Sequence, residues 1–140
     1  RLHEPGGRHL YDVRSKSYLG RTSVADLALE PGEVALLASV PYEVTGVQFV
    51  GAGEATQGET LRARLTVLAD GQPGDHVLRV DVLKPSGAPA EAYCRNVVTR
   101  GGQADFAIPF APNDPVGQWQ VRVRDIVSGK EMGVSVELGE

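Results

Sequence analysis

Hydrophobic and polar residues alternate along most of the chain from its middle onward. In residues 60–69, Leu61, Leu65 and Val67 fall on one face of an extended chain, whereas Arg62 and Arg64 fall on the other. A period of two is typical of a strand with one buried face. The pattern predicts seven strands, at residues 47–50, 60–69, 77–83, 91–99, 103–110, 118–124 and 132–138. Seven short strands separated by turns predict an all-β protein with an antiparallel β-sandwich.

Glycine and proline occupy the gaps between these predicted strands. The chain holds 17 Gly and 9 Pro among 140 residues, which suits a folded, turn-rich protein. Residues 70–74 and 112–115 carry the clearest turn signals. The inward positions hold Phe106, Phe110 and Trp119, which we therefore expect in the core.

The first 43 residues predict a separate unit of about four short strands, at residues 10–14, 17–21, 24–29 and 33–40. So few strands are too small to bury a core of their own. We therefore expect residues 1–43 to be the terminal strands of a preceding β domain, with residues 41–44 as linker, and residues 44–140 to be the sandwich. Because residues 34–40 are almost continuously apolar, we expect cover on both faces, either from upstream chain or from the sandwich.

Charge and chain start narrow the classes of function. A net charge of −4 gives no general attraction for nucleic acid. The longest apolar run, residues 34–40, is far below the roughly 18 residues of a spanning helix, so we expect no membrane insertion. The chain opens on Arg1 and its one methionine is Met132, so we expect a piece of a longer protein. The single cysteine, Cys94, fits either side of a bacterial inner membrane, and our working hypothesis is an extracytoplasmic location.

Two stretches resemble known families. Residues 11–20 (YDVRSKSYLG) with residues 29–38 (LEPGEVALLA) resemble the closing strands of the all-β domain that follows the catalytic barrel in many bacterial glycoside hydrolases. In that family such a segment carries no catalytic residue. Residues 108–125, with 128–130, resemble the last strands of immunoglobulin-like and macroglobulin-like bacterial sandwich modules, where a D-x-x-G-x-W-x-V run enters the core. Asp114, Gly117, Trp119 and Val121 match that run. The resemblance implies an immunoglobulin-like sandwich.

No reactive constellation emerges from the residues, and we expect no catalytic, cofactor-binding or metal-binding residue and no cofactor. Glycoside hydrolysis needs two carboxylates across a sugar bond, but nearly all 18 acidic residues fall in turns or at outward positions. His3, His9 and His76 lie in terminal or turn contexts, which favours solvent-facing side chains. Asn113, Asp114 and Asp125 offer oxygen ligands for calcium, but a turn without an ion is the preferred interpretation of residues 112–115. We expect Cys94 to be a small, buried or half-buried thiol rather than a reactive one.

The candidate binding residues are tyrosines and arginines. Tyr11, Tyr18 and Tyr42 are the candidates for ligand or interdomain contact, and packing between domains is the preferred interpretation. Tyr93 is a fourth possible platform. Arg79, Arg122 and Arg124 are expected on one outer sheet face, paired with neighbours that include Asp81 and Glu137.

The sequence thus favours a non-catalytic accessory module of a larger bacterial protein, and the resemblance makes a glycoside hydrolase the preferred parent. Its partner would be a neighbouring domain of the same polypeptide, with polysaccharide or a second copy as further candidates. The alternatives are a carbohydrate-binding or protein-binding module, or a macroglobulin-like or adhesin-type stalk repeat.

Overall fold

A computed structural model describes residues 2–25 and 29–140, with side chains from residue 8 to 22 and from 29 onward. Within these residues the chain forms eleven strands and a single 3-10 turn at Glu91–Tyr93. The strands are β1 Leu2–Asp12, β2 Ser17–Ala25, β3 Leu37–Val40, β4 Val44–Gly51, β5 Glu54–Thr56, β6 Thr60–Ala69, β7 Val77–Leu83, β8 Arg95–Val98, β9 Gln103–Pro109, β10 Gly117–Asp125 and β11 Glu131–Gly139.

Two sheets face each other in residues 44–140. One has five strands in the order β5-β11-β10-β7-β8, and the other has three in the order β4-β6-β9. All neighbours are antiparallel except β5, which runs parallel to the end of β11. The seven predicted strands are therefore present, and β5 adds a short edge strand that the sequence pattern did not indicate.

The core between the sheets is built from the alternating positions. Leu61, Leu65 and Val67 of β6 are buried, as are the inward residues of β7, β9 and β10. Trp119 is fully buried in this core, and its ring packs edge to face against the Phe110 ring, with the ring centroids 5.1 Å apart. Its indole N–H donates to the carbonyl of Pro115 at 2.9 Å, so the one polar atom of the ring is satisfied. The predicted core placement of Phe106, Phe110 and Trp119 is confirmed.

A third sheet, β2-β1-β3, precedes the sandwich. Asp12 shapes the turn between β1 and β2, because its Oδ1 accepts the amides of Arg14 and Ser15. The predicted strand at residues 24–29 is not separate in its described part: β2 continues to Ala25, and Leu29 lies outside any strand. Residues 26–28 of that prediction lie outside the described residues.

Two further expectations are met only in part. The predicted strand at residues 91–99 begins at Arg95, because the chain first makes the 3-10 turn. The sandwich does not cover the first half of residues 34–40, since Val34 is 68% and Leu36 is 53% exposed, and cover by upstream chain stays a prediction. A strand forms only from Leu37, where β3 pairs with β1.

The arginines on the outer face of the five-stranded sheet are arranged largely as expected. Arg122 lies opposite Asp81 and Arg124 lies opposite Arg79, which itself pairs with Asp81 at 3.0 Å. The expected neighbour Glu137 is not part of this group, because it lies opposite Gln118 further along β11.

Candidate functional site

Tyr11 joins the N-terminal sheet to the sandwich. Its side chain is buried in the same hydrophobic core as Trp119 and Val44. The hydroxyl oxygen accepts the backbone N–H of Val44, the first residue of β4, at 2.7 Å. Burial raises the pKa of Tyr11, and the Val44 amide opposes part of that rise. The first sheet is therefore fixed to the sandwich by packing and by a buried hydrogen bond.

A chain of buried polar side chains lies at the same end of the sandwich. The Tyr42 hydroxyl accepts the Gly74 amide at 2.9 Å and lies 2.7 Å from His76 Nε2. His76 Nδ1 lies 2.8 Å from Asp125 Oδ1. The other carboxylate oxygen, Oδ2, accepts the amide of Ser128 at 3.0 Å and its hydroxyl at 2.7 Å. We call Tyr42, His76, Asp125 and Ser128 the buried polar chain.

The protons of the buried polar chain follow from the donor inventory. An ionised carboxylate only accepts, so His76 Nδ1–H donates to Asp125. In the neutral ring Nε2 then accepts the Tyr42 O–H. Burial acts to raise the pKa of Asp125, but hydrogen bonds from His76 and Ser128 outweigh it, and the pKa is lowered. Every member is satisfied, and the carboxylate is held in its charged form.

The buried polar chain lies inside the sandwich, next to the contact with the N-terminal sheet, and does not form an open reaction centre. Tyr42, His76, Asp125 and Ser128 are all buried, so a substrate has no access to them in this conformation. Next to them, a Cβ on Gly129 would lie 2.4 Å from Cβ of Lys16, which shows how closely the β1–β2 turn packs on the loop before β11. The arrangement can therefore hold the two β units in one orientation.

Two of the three histidines contradict the sequence expectation. His76 is buried in the polar chain, and its own amide donates to Thr99 Oγ1 at 2.8 Å. His9 is also buried, with Nδ1 at 2.7 Å from the Tyr18 hydroxyl. Both are covered because a tyrosine hydroxyl supplies a partner for the ring nitrogen. The side chain of His3 lies outside the described part of the structure.

The three candidate tyrosines differ in exposure. Tyr11 and Tyr42 are buried, whereas Tyr18 is 40% exposed. Tyr11 and Tyr18 meet with ring centroids 5.1 Å apart, and Tyr42 contributes to the same core as Tyr11. Burial raises the pKa of Tyr18, with the charges of Glu43 and Asp70 acting in the same direction. The described side chains thus bring the three residues to one end of the sandwich.

The loop once considered for calcium is held by protein groups. Asp114 Oδ2 accepts the Ala111 amide at 2.7 Å and the Tyr93 hydroxyl. Burial raises the pKa of Tyr93, and its hydrogen bond to Asp114 raises it further. Asp125 lies in the buried polar chain instead. Among the described residues, no group of three or more His, Cys, Asp or Glu side chains could hold a metal ion.

Cys94 is half-buried, as expected, and lies against β7. Its sulfur accepts a hydrogen bond from the backbone N–H of Val82 at 3.2 Å and lies 3.4 Å from the carbonyl oxygen of Ala90.

In the described residues, no helix is long and apolar enough to span a membrane.

Sequence reasoning missed His76 and Asp125, although a signal was present. Asp125 continues the inward series of Trp119, Val121 and Val123, and His76 precedes the inward series of β7 at the same spacing of two. Alternation by itself would therefore place both side chains toward the core.

The fold is that of an all-β, immunoglobulin-like antiparallel sandwich preceded by a short β segment, as predicted. No protein-family model matches the chain, and no curated protein sequence does either. The native conformation of E. coli alpha-2-macroglobulin is similar over 96% of this chain at 18% identity, with a TM-score of 0.53. The chain spans only 10% of that macroglobulin, and the likeness concerns the fold alone.

A second solved structure is similar as well. The CARDB domain of a Pyrococcus furiosus protein, solved in complex with di-metal ions, is 11% identical, with a TM-score of 0.48. The match covers 69% of this chain and 88% of that domain.

Proposed function

We propose that this chain is a non-catalytic accessory module that braces a neighbouring domain of a larger protein. The carrying observation is the contact of the small sheet with one end of the sandwich, where Tyr11 is buried in the sandwich core and its hydroxyl accepts the Val44 amide. A rigid joint transmits the position of one unit to the other.

The surface for the neighbouring domain is formed by residues 29–36, which precede β3. Leu29, Val34 and Leu36 are exposed apolar side chains there, and Leu29 and Val34 line a groove of about 370 Å³ together with Arg14. The Arg14 guanidinium donates to the carbonyl of Val34 at 2.7 Å, which holds the segment in place. Exposed apolar residues on an ordered segment favour a protein contact.

The larger protein, in this proposal, is a glycoside hydrolase. The support is the resemblance of residues 11–20 and 29–38 to the closing strands of the post-barrel β domain in that family. The module would then position the catalytic domain without supplying a catalytic residue.

Carbohydrate binding is less well supported by the same side chains. Sugar-binding sandwiches present exposed aromatic rings in pairs, whereas Tyr11 and Tyr42 are buried and Tyr18 alone of the three is exposed. The aromatic residues in the described sandwich therefore favour a packing role.

The test uses the longer protein that contains this chain. The double variant Val34→Ser, Leu36→Ser should lower the melting temperature of the neighbouring domain while leaving kcat/KM for aryl glycosides within twofold. The matched control is Val50→Ser, an apolar residue with 54% exposure on another sheet, which should leave the melting temperature unchanged. Equal melting temperatures for the double variant and the control would overturn the bracing role. Glycoside hydrolysis by this chain alone would overturn its non-catalytic character.

A further inference from the structure

The edge of the sandwich between β8 and β9 differs from the rest of the surface. β8 is the last strand of the five-stranded sheet, and β9 is the last strand of the three-stranded sheet. Two adjoining grooves of about 430 Å³ and 340 Å³ run along this edge and share Asp105. The first is lined by Arg62 and Arg95, and the second by Arg64 and Arg100.

The charge of this edge is opposite to that of the chain. Arg64 pairs with Asp105, and Arg100 pairs with Asp75. Among the described residues, no carboxylate pairs with Arg62 or Arg95. Two guanidinium groups without an ion-pair partner among the described residues thus line one groove of a chain of net charge −4. Guanidinium forks bind carboxylates with two parallel hydrogen bonds.

The backbone of β9 offers a second kind of contact. The backbone N–H and C=O of Gln103 bond to the backbone of Arg100, so they point away from β6. Because the direction of these groups alternates along a strand, the backbone N–H and C=O of Asp105 and Ala107 also point away from β6. The carbonyl of Ala107 accepts Arg95 Nη2 at 2.9 Å, so an added strand would replace this side-chain donor and leave the guanidinium for a carboxylate. An added strand would supply such donors from its own backbone.

We propose that this edge binds an extended, acidic segment of a partner protein as a strand added to β9. Arg62 lies opposite Ala107 in the register of β6 and β9, and neighbouring strands are about 4.8 Å apart. Because Ala107 is small, the long Arg62 side chain can reach over it to the added strand. A carboxylate opposite Ala107 would meet Arg62 on one side and Arg95, which stacks on Phe106 at 4.4 Å, on the other.

The two faces of β9 determine which side chains of the partner segment are polar and which are apolar. Its outward side chains include the carboxylate opposite Ala107 and a neutral polar residue opposite Asp105, where a second acid would be repelled. Its inward side chains are apolar and lie against Val98, which is exposed at the mouth of the second groove.

The probe is the peptide acetyl-Thr-Val-Thr-Val-Glu-Val-Thr-amide, added to the ¹⁵N-labelled chain. The backbone amide chemical shifts of β8 and β9 should change, and the change should saturate as the peptide concentration rises. Replacing the peptide glutamate by glutamine should weaken binding at least about tenfold, which is about 1.4 kcal/mol, because the charge-assisted pair is lost. The chain variant Arg62→Glu should weaken it by at least as much. The matched control Arg122→Glu, an exposed arginine on the outer face of the other sheet, should leave the affinity unchanged.

The proposal is overturned if the peptide causes no saturable shift up to millimolar concentration, or if Arg62→Glu and Arg122→Glu bind it equally well. It is also overturned if polygalacturonate binds at this edge while the peptide does not, because the recognised chemistry would then be an acidic sugar. The edge is separate from the segment that contains Val34 and Leu36. Failure here therefore leaves the bracing role standing, and failure of the bracing role leaves this surface standing.

Discussion

The substitution Asp125→Asn tests the buried polar chain most directly, because it keeps the shape of the side chain and removes its charge. In the wild type, one oxygen serves His76 and the other serves Ser128. An amide has only one oxygen. If that oxygen faces His76, the amide N–H₂ faces the Ser128 donors. If it faces Ser128, His76 must take the other tautomer, and the Tyr42 O–H loses its acceptor.

Either orientation leaves at least one buried donor without a partner, which costs about 1–3 kcal/mol of unfolding free energy. For a chain of this size the melting temperature should fall by about 3 °C for each kcal/mol. Urea unfolding and calorimetry at pH 7 measure both quantities. The control is Asp81→Asn, the same chemical change at a half-exposed surface pair, which should cost less than about 1 kcal/mol.

The pH dependence of the unfolding free energy, compared between the wild type and Asp125→Asn, gives a second, independent result. The pKa of Asp125 is lower in the folded chain than its ordinary value of 3.8. The ionised carboxylate therefore contributes stability that is complete above 3.8 and is lost as the pH falls through the folded pKa. The difference in unfolding free energy between the wild type and Asp125→Asn should narrow below pH 3.8. An undiminished difference at lower pH, or no loss of stability at pH 7, would refute the assignment.

Two further substitutions probe the joint. Tyr11→Phe removes the acceptor of the Val44 amide, so the unfolding free energy should fall by about 1–3 kcal/mol and the Val44 amide should exchange faster; wild-type protection of that amide would contradict the role of the hydroxyl. Gly129→Ala would place a Cβ 2.4 Å from Lys16 at a φ of +74°, whereas Gly87→Ala, at a φ of +88°, meets nothing within 4 Å. Both should pay about 1–2 kcal/mol of backbone strain, and only Gly129→Ala should also lose the close packing of the β1–β2 turn; equal melting temperatures would contradict that contact.

Alternation predicted the sandwich well because a single physical requirement sets it. Each strand has one face against the core, so Leu61, Val121 and Val136 could be placed from their spacing alone. The exposure of Val34 and Leu36 could not be predicted in the same way. A short apolar run looks alike whether a neighbour covers it or not, and the cover depends on chain that is remote in sequence.

The buried polar chain was missed for a related reason. His76 and Asp125 are separated by 49 residues, and His76 and Tyr42 by 34. A lone histidine or aspartate near a turn is usually solvated, and only a partner from a distant strand makes burial favourable. Their inward spacing was visible, but the residue types argued for the surface.

The direction of β11 has a mechanical consequence. This strand begins beside the Lys16–Gly129 contact and ends at Gly139, at the opposite end of the sandwich, where it pairs with β5. Tension applied between the N-terminal sheet and Gly139 would pull β11 along its own axis. The hydrogen bonds to β10 lie perpendicular to that axis, so they would share the load together rather than open one after another. The module is thereby arranged to resist extension, as a tie between its two ends.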